Sequence, residues 1–208
     1  VVAALVDEVL TPLTSDAASR AANLGAATES LCAAPGDATL ATARTELAAA
    51  WSGWKLTDTF DMGPAMDRRS GSLLGYEVNP DKVDSAIAGG EEMTVDSVRN
   101  RMASNLRGFG AVDHLLRAPV ASFSDPARCG YLQALVGVIV DETGQVAKGW
   151  TTGLDGAPPF ATTAKGGGPD AMSPTDMIDL LVNMQLSFLE STSKRLSAVS
   201  ESGSAVPI

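Results

Sequence analysis

Histidine is nearly missing from this chain of 208 residues, which has one. Cysteine occurs twice and aromatic residues make up 5%. The lone histidine, His114, excludes any metal shell built from several imidazoles, and a Ser-His-Asp triad would have to be assembled around it. No Gly-x-Ser-x-Gly elbow is present to present such a serine. Cys32 and Cys129 lie far apart with no His or Cys close by, which is the wrong spacing for a zinc site. Cys-His catalysis would need one of those sulfurs free and beside His114.

Basic residues are also few, 15 against 25 acids, for a formal charge of -10. That balance argues against a phosphate-binding surface and so against nucleic acid as a partner. Long apolar runs are missing too. The longest, Leu132 to Val140, is interrupted by Gln133 and Gly137 and falls far short of the ~20 residues of a membrane span. Gly166-Gly167-Gly168-Pro169 lacks the Lys-Ser/Thr that completes a phosphate loop and reads as a flexible connection. The chain does not begin with Met, and Val1-Val2-Ala3-Ala4-Leu5 runs straight into an amphipathic pattern, so a targeting segment is expected to have been removed or left out.

What is present is Ala, Leu, Val and Met, with 45% hydrophobic residues overall. These are helix formers, and the β-branched and aromatic runs of strands are scarce, so the fold class is all-α. Apolar residues three and four apart predict a first helix over 2–31, with Pro12 kinking or dividing it. Pro35-Gly36-Asp37 stops it, and Asp37 is placed to cap a second helix over 38–58. Residues 60–93 lose the period and collect Gly and Pro, reading as a long irregular crossover with a short helix at 81–88 capped by Asn79 or Asp81. A third helix is expected from Thr94 without interruption through Leu116, followed by a fourth over 126–150 and a fifth from Ser173-Pro174 onward, with a second loop at 151–172 between them. The tail from Ser200 is expected to fray. Asp67, Arg68 and Arg69 read as solvated loop charges or a small anion or partner site, the methionines within helices and the three tryptophans as core filler.

The segment Arg107-Gly108-Phe109-Gly110-Ala111-Val112-Asp113-His114-Leu115-Leu116 resembles the Gly-x-His-x-x-Glu signature of the imelysin family, with Gly110 at the His position and Asp113 at the Glu position. Four further blocks follow in family order. Ala50-Trp51 to Phe60-Asp61-Met62-Gly63-Pro64 resembles a Trp-containing helix and Phe-Gly-Pro step, and Asn79-Pro80-Asp81 a Trp-Pro-Asp turn. Arg128-Cys129-Gly130-Tyr131-Leu132-Gln133-Ala134 resembles the Arg-Cys-x-Tyr-Leu run, and Trp150 stands where that helix ends.

The resemblance implies an imelysin-like helical bundle of two pseudo-repeated domains. These are an N-terminal domain over 1–118 carrying the degenerate signature at Gly108, Gly110 and Asp113, and an incomplete second one over 119–208. It implies a bacterial protein that is exported, periplasmic or associated with the outer membrane, with any lipid anchor outside this chain. Some members are described as metallopeptidases and others as iron-regulated or iron-uptake components. The expected role here is a non-catalytic binding or accessory module linked to iron or metal acquisition, partnered by an envelope protein or metal-uptake component. The alternatives are a divergent metallopeptidase and a structural interaction module of the envelope. Iron or zinc is the cofactor implied, and Asp113 and His114 are the ligands left for it. Asp113 also reads as the partner of Arg107 or Arg117, and His114, one residue on, points about 100° away from it. For the cysteines, a Cys32–Cys129 disulfide and two buried thiols both fit. The oxidising compartment favours the disulfide, which would contribute roughly 4 to 5 kcal/mol in the chain-entropy model.

Overall fold

The computed structural model describes residues 1–75, 77–90, 93–168 and 170–202, with backbone alone at 195 and from 198 on. Among the described residues every regular element is a helix. The chain opens with α1 (Val2–Leu5), a π-helical turn (Val6–Leu10) and α2 (Thr11–Ala33) in continuous succession. The turn is how the helix takes up Pro12. Without an N–H, proline cannot make the i→i−4 bond and its ring crowds the preceding carbonyls, so the chain widens before it and the Thr11 amide reaches back to the Val6 carbonyl. Helix α3 (Asp37–Asp58) returns along α2. Its cap is Gly36 rather than Asp37: Thr39 Oγ1 accepts from the Gly36 amide at 3.1 Å, and Asp37 is already the first helical residue.

The described residues of 60–93 contain three short helices, α4 (Pro64–Asp67), α5 (Ser70–Leu74) and α6 (Pro80–Ala88), the last capped by Asn79 accepting from the Lys82 amide. The single helix expected over 94–116 is broken in two. Helix α7 (Val95–Asn100) begins with a reciprocal cap between Thr94 and Ser97, a 3-10 turn covers Ser104–Leu106, and α8 (Phe109–Leu116) starts afresh. Apolar spacing alone suggested continuity; Gly108 prevents it. Its φ of 79° and ψ of -171° suit glycine only, and a Cβ there would lie 2.4 Å from the Leu74 carbonyl oxygen. The signature therefore opens a helix instead of ending one.

Asp125 caps α9 (Pro126–Thr151), accepting from the Ala127 amide at 2.9 Å. Helix α10 (Phe160–Ala164) lies inside the second loop, and α11 (Pro174–Ser202) opens with Ser173 and Asp176 exchanging side-chain-to-amide hydrogen bonds. The tail expected to fray from Ser200 is still helical as far as Ser202; its remainder, and Pro169 of the glycine run, lie outside the described residues.

Helix α9 is the axis of the packing. Tyr131, Leu132, Leu135, Val138, Ile139, Val146 and Trp150 are buried along it, and α2, α7, α8, α10, α4 and α6 all lean on it. Small residues on α2 and α3, among them Ala17, Ala21, Ala43 and Ala50, allow close approach of those two helices. A single hydrophobic cluster runs from Val2 to Leu181, so it includes residues on both sides of position 118. Cys32 at the end of α2 and Cys129 at the start of α9 are joined by a disulfide with their Cα atoms 5.7 Å apart. Neither sulfur is free for nucleophilic chemistry. Trp54 and Trp150 are core residues, the latter edge-on to Phe160 at 4.9 Å.

Candidate functional site

Two polar regions stand out against this apolar frame: the signature at the start of α8, and a buried carboxylate on α9. At the signature, Arg107 is extended and half-buried, its Nη1 donating to the carbonyls of Val98 and Arg99. Its Nε is buried without a partner among the described residues. Burial, and then the charge of Arg99, lower its pKa from the usual guanidinium range. Phe109 is fully buried and stacks on Trp51, ring centroids 5.9 Å apart. Arg44 on α3 reaches the other end of α8 and donates to the Leu116 carbonyl at 2.7 Å, satisfying a helix-terminal acceptor.

Gly110 supplies no side chain to this helix. Three residues on, Asp113 accepts from Arg117 Nε at 2.8 Å and pairs with its Nη2 at 2.7 Å. The alternative partner, Arg107, is engaged elsewhere. His114 turns to another face, its Nε2 lying 3.1 Å from Asp84 Oδ1 on α6, where Arg128 Nη2 stands 3.7 Å from the same oxygen. So Asp113 and His114 are not brought together. A divalent cation would need donors converging on one point, about three from the protein for zinc. Here Gly110 has no donor, the Asp113 carboxylate is neutralised by Arg117, and His114 faces Asp84 on another side of the helix. Among the described residues no group of three His, Cys, Asp or Glu is placed to hold a metal ion. The residues at the signature, as arranged, do not fit the metal that the resemblance implies.

The second region escaped the sequence reading. Glu142 is completely buried on α9, between Ile139 and Val146 in the apolar register. Arg68 grips it with two parallel bonds, Nε to Oε1 at 2.9 Å and Nη2 to Oε2 at 2.8 Å. Arg99 Nη1 donates to Oε2 and Ser70 Oγ to Oε1, both at 2.6 Å, while Arg99 Nη2 also binds Asp141 at 2.7 Å. Burial pushes the Glu142 carboxyl up, but the hydrogen bonds from Arg68, Arg99 and Ser70 outweigh it and hold the pKa below the ordinary carboxylate range. The bond to Glu142 raises the Arg68 pKa in turn. Arg68 is thus no solvated loop charge; its neighbours Asp67 and Arg69, the latter in the left-handed region at φ 56°, are exposed. The signal that could have found this node is an acid on the buried stripe of an otherwise apolar helix, which requires a cationic partner. Nearby, Tyr131 donates to the Leu106 carbonyl, and burial raises its hydroxyl pKa.

The Glu142 node ties α5, α7 and the segment after α4 to α9, and every oxygen of the carboxylate is already bonded. Ser70 donates to that carboxylate, but the two arginines bound to Glu142 hold its pKa down, so it is a weak base for making the hydroxyl a nucleophile.

The family model described as Imelysin matches residues 11–204 of the chain. Among solved structures, an iron-regulated protein A precursor from Parabacteroides distasonis superposes with a TM-score of 0.75 at 22% identity, over 86% of this chain and 53% of that one. An Imelysin-like protein from Psychrobacter arcticum gives a TM-score of 0.71 at 17% identity, over 91% of this chain and 58% of that one. The chain therefore spans little more than half the length of either neighbour. No curated protein matches it.

Proposed function

The chain belongs to the imelysin family, and from that premise we propose that it is an exported cell-envelope protein acting as a non-catalytic binding or accessory module linked to iron or metal acquisition. One observation carries the reading. The family model matches residues 11–204 around a signature whose ligand positions are Gly110 and an Asp113 bound to Arg117, with His114 facing Asp84. A family frame without convergent donors at its signature suits binding through surfaces better than hydrolysis at a metal. The neighbour described as an iron-regulated protein A precursor supports the link to iron. No helix among the described residues is long and apolar enough to cross a membrane, which is compatible with an envelope protein held by an anchor outside this chain.

Calorimetric titration with zinc and with ferrous ion tests the proposal. Weak or undetectable heats, the same in the native chain and in Asp113→Ala, are expected. Tight stoichiometric binding that disappears with Asp113→Ala overturns it. That outcome, together with chelator-sensitive cleavage of an unfolded protein substrate, would instead support a divergent metallopeptidase.

A second reading, a structural interaction module of the envelope, is favoured by α11. Met177 and Leu181 turn into the core, but Ile178, Val182, Leu186 and Leu189 lie 45 to 60% exposed in steps of three and four. Leu189→Glu should then abolish association with an envelope partner while leaving the helical circular dichroism intact.

A further inference from the structure

The chain leaves the helix after Asn100 and returns to one at Phe109, and that departure opens a cavity of about 510 Å³ between the end of α6, α7 and residues 102–106. Small-molecule sites occupy roughly 300 to 1,000 Å³, so this space is large enough for a ligand of several heavy atoms. Met93, Met102 and Leu106 give it apolar walls, with Ser85 and Ser97 among them. Both hydroxyls already donate to backbone carbonyls, Ser85 to Asp81 and Ser97 to Thr94. The remaining polar side chain of the lining is that of Arg101, an exposed residue.

Arg101 differs from every arginine around it. Arg68 and Arg99 are bound to Glu142, and Arg107 to the carbonyls of Val98 and Arg99. The Arg101 side chain forms no hydrogen bond or ion pair among the described residues, and no described acid lines the cavity with it. A guanidinium presents five donors in a planar fork suited to carboxylate-like heads. Methionine side chains adapt their shape to varied apolar groups. We propose that this cavity binds a small organic anion, with a carboxylate or sulfonate head on Arg101 and a short apolar tail between Met93, Met102 and Leu106. Neither Asp113 nor His114 lines the cavity, so the site is independent of any metal at the signature.

The test uses the full chain and three probes of equal length: sodium octanoate, 1-octanol and octylamine, with sodium acetate as a tail-less control. Octanoate should bind saturably at one site per chain in calorimetry. Octanol should bind at least about tenfold more weakly, and acetate and octylamine should give no saturable heat. Arg101→Gln should weaken octanoate by about tenfold or more without changing the thermal midpoint, and Arg101→Lys should keep part of the affinity. With methionine methyls labelled for NMR, Met93 and Met102 should shift with octanoate and Met62 and Met177 should not. No saturable octanoate binding overturns the proposal. So does octanol binding as tightly as octanoate, an Arg101→Gln chain that binds octanoate unchanged, or methyl shifts confined to methionines outside the cavity.

Discussion

The signature of α8 and the Glu142 node of α9 are opposite kinds of polar site. At the signature the two residues left as metal ligands sit toward the surface, Asp113 paired with Arg117 and His114 beside Asp84, the four side chains 23 to 72% exposed. At the node one carboxylate is buried completely and held by three side chains from separate elements. The motif that names the family thus contributes conformation, through Gly108 and Phe109, more than charge. The residue that no motif marks carries the electrostatic burden of the fold. Recognisability in sequence and energetic weight have parted company here.

Breaking the disulfide should have the largest effect, because Cys32 and Cys129 close a loop of 97 positions. Replacing both by Ala is expected to cost about 4 to 5 kcal/mol in the chain-entropy model, read as a shift of the denaturant midpoint. The two-hydrogen mass increase on reduction, seen by mass spectrometry, checks that the bond is the element lost.

Glu142→Ala should follow closely. It leaves Arg68 and Arg99 charged beside a buried void, and removing one partner of a buried pair costs about 3 to 5 kcal/mol. The pH dependence has a definite sign. The folded carboxyl lies below its unfolded value, so its stabilisation is complete above the ordinary carboxylate range and is lost as pH falls through the lower folded pKa. Stability of the native chain should fall in that acid window, and Glu142→Gln should flatten the fall. A midpoint unchanged in Glu142→Ala would dissolve the contrast between the two regions.

The sequence showed the helices wherever local chemistry decides them. Asp125-Pro126 and Ser173-Pro174 to Asp176 start α9 and α11 as their capping residues imply. It misread 94–116 because the apolar spacing of Val98, Met102 and Leu106 continues through Arg101 to Arg107, while the break depends on a tertiary contact, the Leu74 carbonyl against Gly108. Glu142 stayed hidden for the same reason. Its partners Arg68 and Ser70 come from a stretch that reads as loop, more than seventy positions away. On α11 the apolar period was legible, but periodicity cannot say which stripe is covered: Met177 is buried whereas Leu189 and Leu196 are exposed.

Gly108→Ala probes the conformational share of the signature. The positive φ and the approach of a Cβ to the Leu74 oxygen together predict a loss of about 2 to 3 kcal/mol in chemical denaturation. Asp113→Ala stands at the other end of the scale. Its pair with Arg117 is an i, i+4 contact with side-chain exposures of 33 and 72%, and such pairs contribute about 0.3 to 0.5 kcal/mol, less in salt. A midpoint shift within about 0.5 kcal/mol is therefore expected, shrinking further at high ionic strength. A loss of several kcal/mol, insensitive to salt, would mean that the signature carboxylate works like Glu142, and the two regions would no longer be of different kinds.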